Sequence, residues 1–269
     1  MAQNAPSRFD RDTRVTLASP GVFDANIDRG WWVARGPNGG FVAALLVRAM
    51  EQTTADPARQ LRSVTIHYVR PPAEGPARVE TRVERVGGSL TTISARLLQG
   101  DSLQALALAA FSKPRETVSF HHAVMPEVAP PEAADRRRDP RVPIHERYDQ
   151  RWAVGPRYFD GVRGREAITG GWLRLAEGAR PLDAPLLTAY ADAWPPSVFA
   201  TNELPMMLGG VPTVDLTVHI RATLPQPDDF VLAVFCTREV AGGFLEEDGE
   251  LWSRSGQLLA HSRQLGVVM

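Results

Sequence analysis

With 269 residues, 43% of them hydrophobic, the chain can bury one large core or two ordinary ones, and its formal net charge of -1 offers no basic footprint for nucleic acid or an anionic membrane surface. A single cysteine, Cys236, excludes an internal disulfide and makes the cytoplasm the default compartment. The opening "MAQNAPSRFDRDTR" lacks the apolar stretch of a signal peptide, and runs such as "ALALAAF" fall far short of the roughly 20 residues needed to span a bilayer.

The first strong element lies in "GPNGGFVAALLVRAM", residues 36–50, where positions 41–47 are continuously apolar. Asn-Gly is also a hairpin signal, but the residues that follow are Ala, Leu and Met rather than β-branched, and they run on to a polar "TTADP" stop. The pattern predicts a buried helix with Asn38 as its N-cap and Gly39 and Gly40 in its first turn, where backbone N–H groups lack intrahelical partners. After it come "SVTIHYVRPP", "ARVETRVERVGG", "LTTISARLLQGD" and "QALALAAFS", β-rich runs separated by Pro and Gly turns. One helix followed by an antiparallel meander is expected.

From about residue 121 to 144 the composition shifts to proline and charge without periodicity, which reads as a connection between two units. Beyond it the order recurs. The run "APLLTAYADAW" predicts a second helix, extended through Asp192, and "TVDLTVHIRATL", "DFVLAVFCTREVAGG", "GELWSRSG" and "QLLAHSRQLGVVM" predict strands. "TIH" and "TVH" superpose at His67 and His219, and the turns near Ser102 and Gly256 align, so the chain reads as an internal duplication. The expected units are an N-terminal repeat at 1–120, a linker at 121–144 and a C-terminal repeat at 145–269. Each has a helix and about five antiparallel strands, an α+β double hotdog in which a sheet wraps a central helix. Small residues at Gly39, Gly40, Ala43 and Ala44 suit a helix approached closely on several faces.

Standard catalytic motifs are missing from the sequence: there is no G-x-S-x-G, P-loop, G-x-G-x-x-G or H-E-x-x-H, and the six histidines show no ligand spacing. No metal or cofactor is expected. Lys113 is the only lysine, so a phosphate on a ligand would be met by arginine. The two copies differ where polar groups collect in the second. Alignment sets Gln264 opposite Ala110 and Thr213 opposite about Leu61, and Asp192 stands where the first helix is apolar.

These residues carry a specific resemblance. "AYADAWPP", "TVDLTVH" and "SRQLGV" in the second half, with "PNGGFVAALL", "SVTIHYVRPP" and "VERVGGSLTTISARLLQ" in the first, resemble the acyl-CoA thioesterase II (TesB-like) double-hotdog family over nearly the whole chain outside the linker. The likeness departs at "VPTVDL" and "LTVHIRA", where well-known members carry a Met-Trp-Phe-His run. It implies that Asp192, Thr213 and Gln264 hold a water that attacks a thioester carbonyl, with an acyl-CoA or other acyl thioester as partner and pairing through the sheets as a possible homo-oligomer. Backbone N–H groups of Gly39, Gly40 and Phe41 are then candidate oxyanion donors. The glycine pair either admits the thioester or lets the helix pack closely. A non-catalytic acyl-CoA or acyl-carrier binder is the alternative reading; a hotdog enoyl-CoA hydratase would need a histidine shortly after Asp192, and "AWPPSVFATN" has none.

Overall fold

The computed structural model describes residues 6–33, 35–137, 139, 141–203 and 210–268; the first five residues of the segment read above for a signal peptide lie outside them. In the first half, a short helix α1 (Arg8–Asp12) and a hairpin of β1 (Thr16–Ser19) and β2 (Val22–Ile27) precede the long helix α2 (Gly39–Thr54). Strands β3 (Gln60–Tyr68), β4 (Gly75–Val86), β5 (Leu90–Gln99) and β6 (Ser102–Ser112) follow it. The second half runs β7 (Asp135–Arg137), β8 (Tyr148–Val154), β9 (Ala167–Leu175), β10 (Arg180–Leu182), helix α3 (Ala184–Tyr190), β11 (Thr213–Ile220), β12 (Leu224–Asp228), β13 (Val231–Ala241), β14 (Phe244–Ser253) and β15 (Leu258–Val267).

Thirteen of these strands form one sheet in the order β1-β2-β4-β5-β6-β3-β11-β15-β14-β13-β9-β8-β7, while β10 pairs with β12. The two halves join at the antiparallel β3–β11 pair. Thr65 sits opposite Thr217 there, their hydroxyl oxygens 3.0 Å apart and their positions 152 residues apart in sequence. The same separation relates His67 to His219 and Leu61 to Thr213, so the register carries a pseudo-twofold relation between the halves. Turning outward from that pair, β6 corresponds to β15, β5 to β14, β4 to β13 and β2 to β9. The β5–β6 and β14–β15 turns each hold a glycine at positive φ, Gly100 and Gly256.

Helix α2 is buried along residues 40–47, as its all-round apolar sequence requires, and it packs on α3 and the concave face of the N-terminal sheet. Asn38 caps it, accepting from the Phe41 N–H at 3.1 Å. This is the double hotdog expected from the duplication.

Four sequence expectations need amendment. A strand precedes each helix, β2 and β9, so each repeat is more than a helix and a trailing meander. Part of the 121–144 connection belongs to the second half's sheet, because β7 pairs with β8. The register sets Gln264 opposite Ala109 rather than Ala110: Leu216 pairs with Gln264 where the equivalent Val64 pairs with Ala109. A one-residue slip would have moved the side chain to the other face of the sheet. Finally, Asp192 is not inside the second helix. Helix α3 ends at Tyr190 with Ala191 as C-cap, since the Trp194-Pro195-Pro196 sequence cannot continue a helix.

Candidate functional site

The end of α3 meets the beginning of α2, and the site is built at that junction. Gly40 is where the helices touch: a Cβ there would overlap the Ala189 carbonyl oxygen and lie 3.0 Å from its Cα. Gly39 serves a different neighbour, because its Cβ would lie 2.9 Å from Asp192 Oδ2 and 3.0 Å from Tyr68 Cζ. The two glycines therefore follow the close-packing alternative, one admitting a backbone and the other a carboxylate of this chain.

Asp192 Oδ2 accepts from the Gly40 N–H at 2.9 Å and from Asn38 Nδ2 at 2.9 Å, while the same Asn38 amide donates to the Asp192 carbonyl at 2.6 Å. Residue 192 keeps some surface open to solvent, but protein encloses its carboxylate. Burial raises the carboxyl from 3.8 to about 6, and the opposing donors, the Gly40 and Gly39 N–H groups and Asn38, hold it from rising further. A carboxylate at the C-terminal end of α3 faces an unfavourable dipole; the N-terminus of α2 supplies the compensating one. The turn that carries it is anchored by Gln150 Nε2 donating to the Ala193 carbonyl and Trp194 Nε1 donating to Thr169 Oγ1 at 3.0 Å. Tyr68 closes one side, its hydroxyl donating to the Gly39 carbonyl at 2.8 Å and its pKa driven well above the phenol range by burial, then by Asp192.

Gln264 is buried on β15, with Nε2 donating to Glu247 Oε1 at 3.4 Å and Oε1 enclosed without a partner among the described residues. Thr213 opens β11. A register shift between Thr213 and Asp215 sets it directly across from Gly266, and Gly266 shares the inner face of β15 with Gln264 and Ser262. The bulge re-aims the threonine inward. Asp192, Thr213 and Gln264 thus share the inner side of the C-terminal half, although no direct hydrogen bond joins them among the described residues.

The three expected oxyanion donors are all engaged. The Phe41 N–H is taken by the Asn38 cap, and the Gly40 and Gly39 N–H groups by Asp192, so none is free as the sequence reading supposed. A helix N-cap necessarily consumes one of the orphan donors it was credited with leaving open.

Sequence reasoning missed Glu247 on β14. It is 4% exposed, accepts from the Ser197 N–H at 2.5 Å, and is pushed up to about 7, chiefly by burial with Asp192 and Asp248 adding repulsion. Ser197 Oγ in turn donates to Thr237 Oγ1 at 2.9 Å. The signal was available: in "FLEEDGEL" the two-residue period puts Glu247 on the face of Leu245 and Leu251. Asp192 and Glu247 are thus two buried carboxyls, both raised chiefly by desolvation, and within electrostatic reach of each other.

The fold defines a class, the duplicated hotdog proteins, and comparison with known proteins narrows it. Residues 28–112 match the model of the acyl-CoA thioesterase N-terminal domain, and residues 126–268 that of the acyl-CoA thioesterase C-terminal domain. A hot dog-fold protein of unknown function from Alicyclobacillus acidocaldarius is 27% identical, covering 98% of this chain and 99% of that one with a TM-score of 0.87. A candidate thioesterase II from Thermobifida fusca is 25% identical, covering 97% of each chain with a TM-score of 0.83. An uncharacterised protein of Mycobacterium tuberculosis is 24% identical over 92% of this chain and 91% of its own length. The chain belongs to the acyl-CoA thioesterase family.

Proposed function

We propose that the chain is an acyl-CoA thioesterase that hydrolyses fatty-acyl-CoA-like thioesters by direct attack of water, acting in the cytoplasm. The observation that carries this reading is the Asp192 carboxylate, seated on the start of α2 and brought by burial to about 6. A base with that pKa is largely ionised at neutral pH yet basic enough to accept a proton as water attacks.

In this mechanism a water lies between Asp192, the Thr213 hydroxyl and the unpartnered Gln264 Oε1. Its oxygen bonds to the thioester carbonyl carbon while one proton passes to Asp192. The carbonyl oxygen becomes an oxyanion. As Asp192 loses its charge, its hold on the Gly40 and Gly39 N–H groups weakens from charge-assisted to ordinary hydrogen bonds, and these donors, fixed at the start of α2, have more of their positive end to offer an oxyanion that forms beside them. Phe41 takes no part, because its N–H stays with Asn38. The tetrahedral intermediate then collapses, the carbon–sulfur bond breaks, and the proton held by Asp192 passes to the departing thiolate. The products are a carboxylic acid and the free thiol; the reaction as written needs no metal or cofactor.

The test is thiol release from a panel of acyl-CoA chain lengths by the wild type and Asp192→Asn. Turnover on some members that falls by about 10²–10⁴-fold in the folded variant supports the reading. Absence of turnover across the panel with tight acyl-CoA binding would make the protein a binder instead.

A further inference from the structure

The pseudo-twofold relation that places the Asp192 centre also defines a second location, and the molecule is not closed there. At the opposite end of the helix pair, where α2 finishes and β11 gives way to β12, lies a groove of about 870 Å³, within the size range of small-molecule sites. Two of its members are counterparts of residues at the Asp192 centre. Leu61 corresponds to Thr213, and Ile220 to Tyr68, by the separation that relates Thr65 to Thr217. Ala109, beyond the groove's rim, is the counterpart of Gln264. The water-orienting groups of the first centre are thus apolar at the second.

What the groove does carry is an apolar wall and unpaired positive charge. Leu61, Leu182, Ile220 and Leu224 line it. Four arginines border it, and two are spent elsewhere: Arg48 pairs with Asp10, and Arg59 with Asp56. Arg62 donates through Nε to Ser112 Oγ at 3.2 Å, and neither Arg62 nor Arg221 has a carboxylate partner among the described residues. Strand register makes the pair a unit, because β3 and β11 run antiparallel and bring the start of one beside the end of the other.

We infer that this groove is a second, non-catalytic site for an amphipathic anion, an apolar chain lying on Leu61, Leu182, Ile220 and Leu224 with its carboxylate or phosphate head held by Arg62 and Arg221. Two carboxyls also line the groove: Asp183 is paired with Arg180, and Glu51 is pushed up to about 7 by burial and by Asp183, so about half of it is uncharged at neutral pH. Occupancy of this groove does not depend on hydrolysis at Asp192.

Calorimetric titration with dodecanoate, dodecyl phosphate and dodecanol tests the inference on the wild type, Arg62→Ala/Arg221→Ala and Ala222→Trp, the last filling the groove while keeping its charge. The wild type is expected to take up one equivalent of either anion that the double arginine variant binds at least about tenfold more weakly, consistent with losing charged hydrogen bonds. Ala222→Trp should lose the same equivalent, and both variants should retain wild-type kcat/KM on acyl-CoA. Preference for dodecanoate over dodecyl phosphate, or the reverse, identifies the head group. Equal uptake of dodecanol, or anion binding unchanged in the arginine variant, overturns the inference. A protein that hydrolyses no thioester yet shows the arginine-dependent equivalent sinks the thioesterase reading and leaves this one standing.

Discussion

Replacing Gly40 by alanine tests the junction on which the site rests. The added Cβ would overlap the Ala189 carbonyl oxygen and lie 3.0 Å from the Ala189 Cα, against ordinary van der Waals contact beginning near 3.4 Å. Both atoms are backbone in a buried helix and cannot rotate aside, so the helices must separate by several tenths of an ångström. Overpacking of this kind costs about 1–3 kcal/mol, while exchanging glycine for alanine in a helix returns at most about 1 kcal/mol. A net loss of about 1–2 kcal/mol is expected, a fall of roughly 2–8 °C in Tm for a chain of this size. The separation also draws the Gly40 N–H away from Asp192. Gly39→Ala makes the contrast: its Cβ meets the Asp192 carboxylate and the Tyr68 ring, side chains that can yield, so stability should change less and kcat/KM more. Displacing a reacting group by an ångström costs up to about a hundredfold. Melting curves and kcat/KM on the same samples separate the two. A Gly40→Ala protein that melts and turns over as the wild type refutes the helix contact, and a Gly39→Ala protein with normal kcat/KM refutes the catalytic use of the carboxylate's seat.

Asp192→Asn should gain stability at pH 7 while losing activity. Because the folded carboxyl sits above its unfolded value, its unfavourable contribution is absent below about pH 4 and grows as pH rises to about 6. Two pH units correspond to about 3 kcal/mol, an upper bound that denaturant titration at pH 4 and 7 would measure; equal gains at both pH values would contradict the burial argument. Wild-type kcat/KM should rise with pH through an apparent pKa near 6. In Glu247→Gln that limb should move to lower pH, since removing a nearby negative charge favours ionisation of Asp192, and an unshifted limb would uncouple the two groups. Thr213→Val and Gln264→Ala should lower kcat with little change in KM and combine non-additively with Asp192→Asn; strict additivity in the double mutants would separate their roles.

Much of this architecture was legible because repetition is visible in sequence. The recurrence of a helix and β-rich runs on either side of a proline-rich connection, with His67 and His219 in register, is enough to require a duplicated fold. Asp192 was visible as a carboxylate in an otherwise apolar stretch. What escaped depends on distance along the chain. Asn38 announces itself as an N-cap, yet its amide also binds Asp192, more than 150 residues away, and only the packing of α2 on α3 reveals that. The Gly40 N–H looked free because a single helix was considered, without the partner that folds against it, whereas the Phe41 N–H is consumed by the helix's own Asn38 cap. Glu247 was lost with the first part of β14, where "EED" reads as solvated surface until alternation is followed through Leu245 and Leu251. The bulge that turns Thr213 inward leaves no trace in composition.

The central claim is that water, held beside Asp192, attacks the thioester directly. A single turnover of enzyme in excess over acyl-CoA, run in heavy-oxygen water and followed by mass spectrometry of both product and protein, addresses it. The account predicts that the carboxylic acid released in the first turnover carries one heavy oxygen while the peptide containing Asp192 remains unlabelled. An unlabelled first product with heavy oxygen in the Asp192 carboxylate would make that residue a nucleophile forming an anhydride, and would contradict the account.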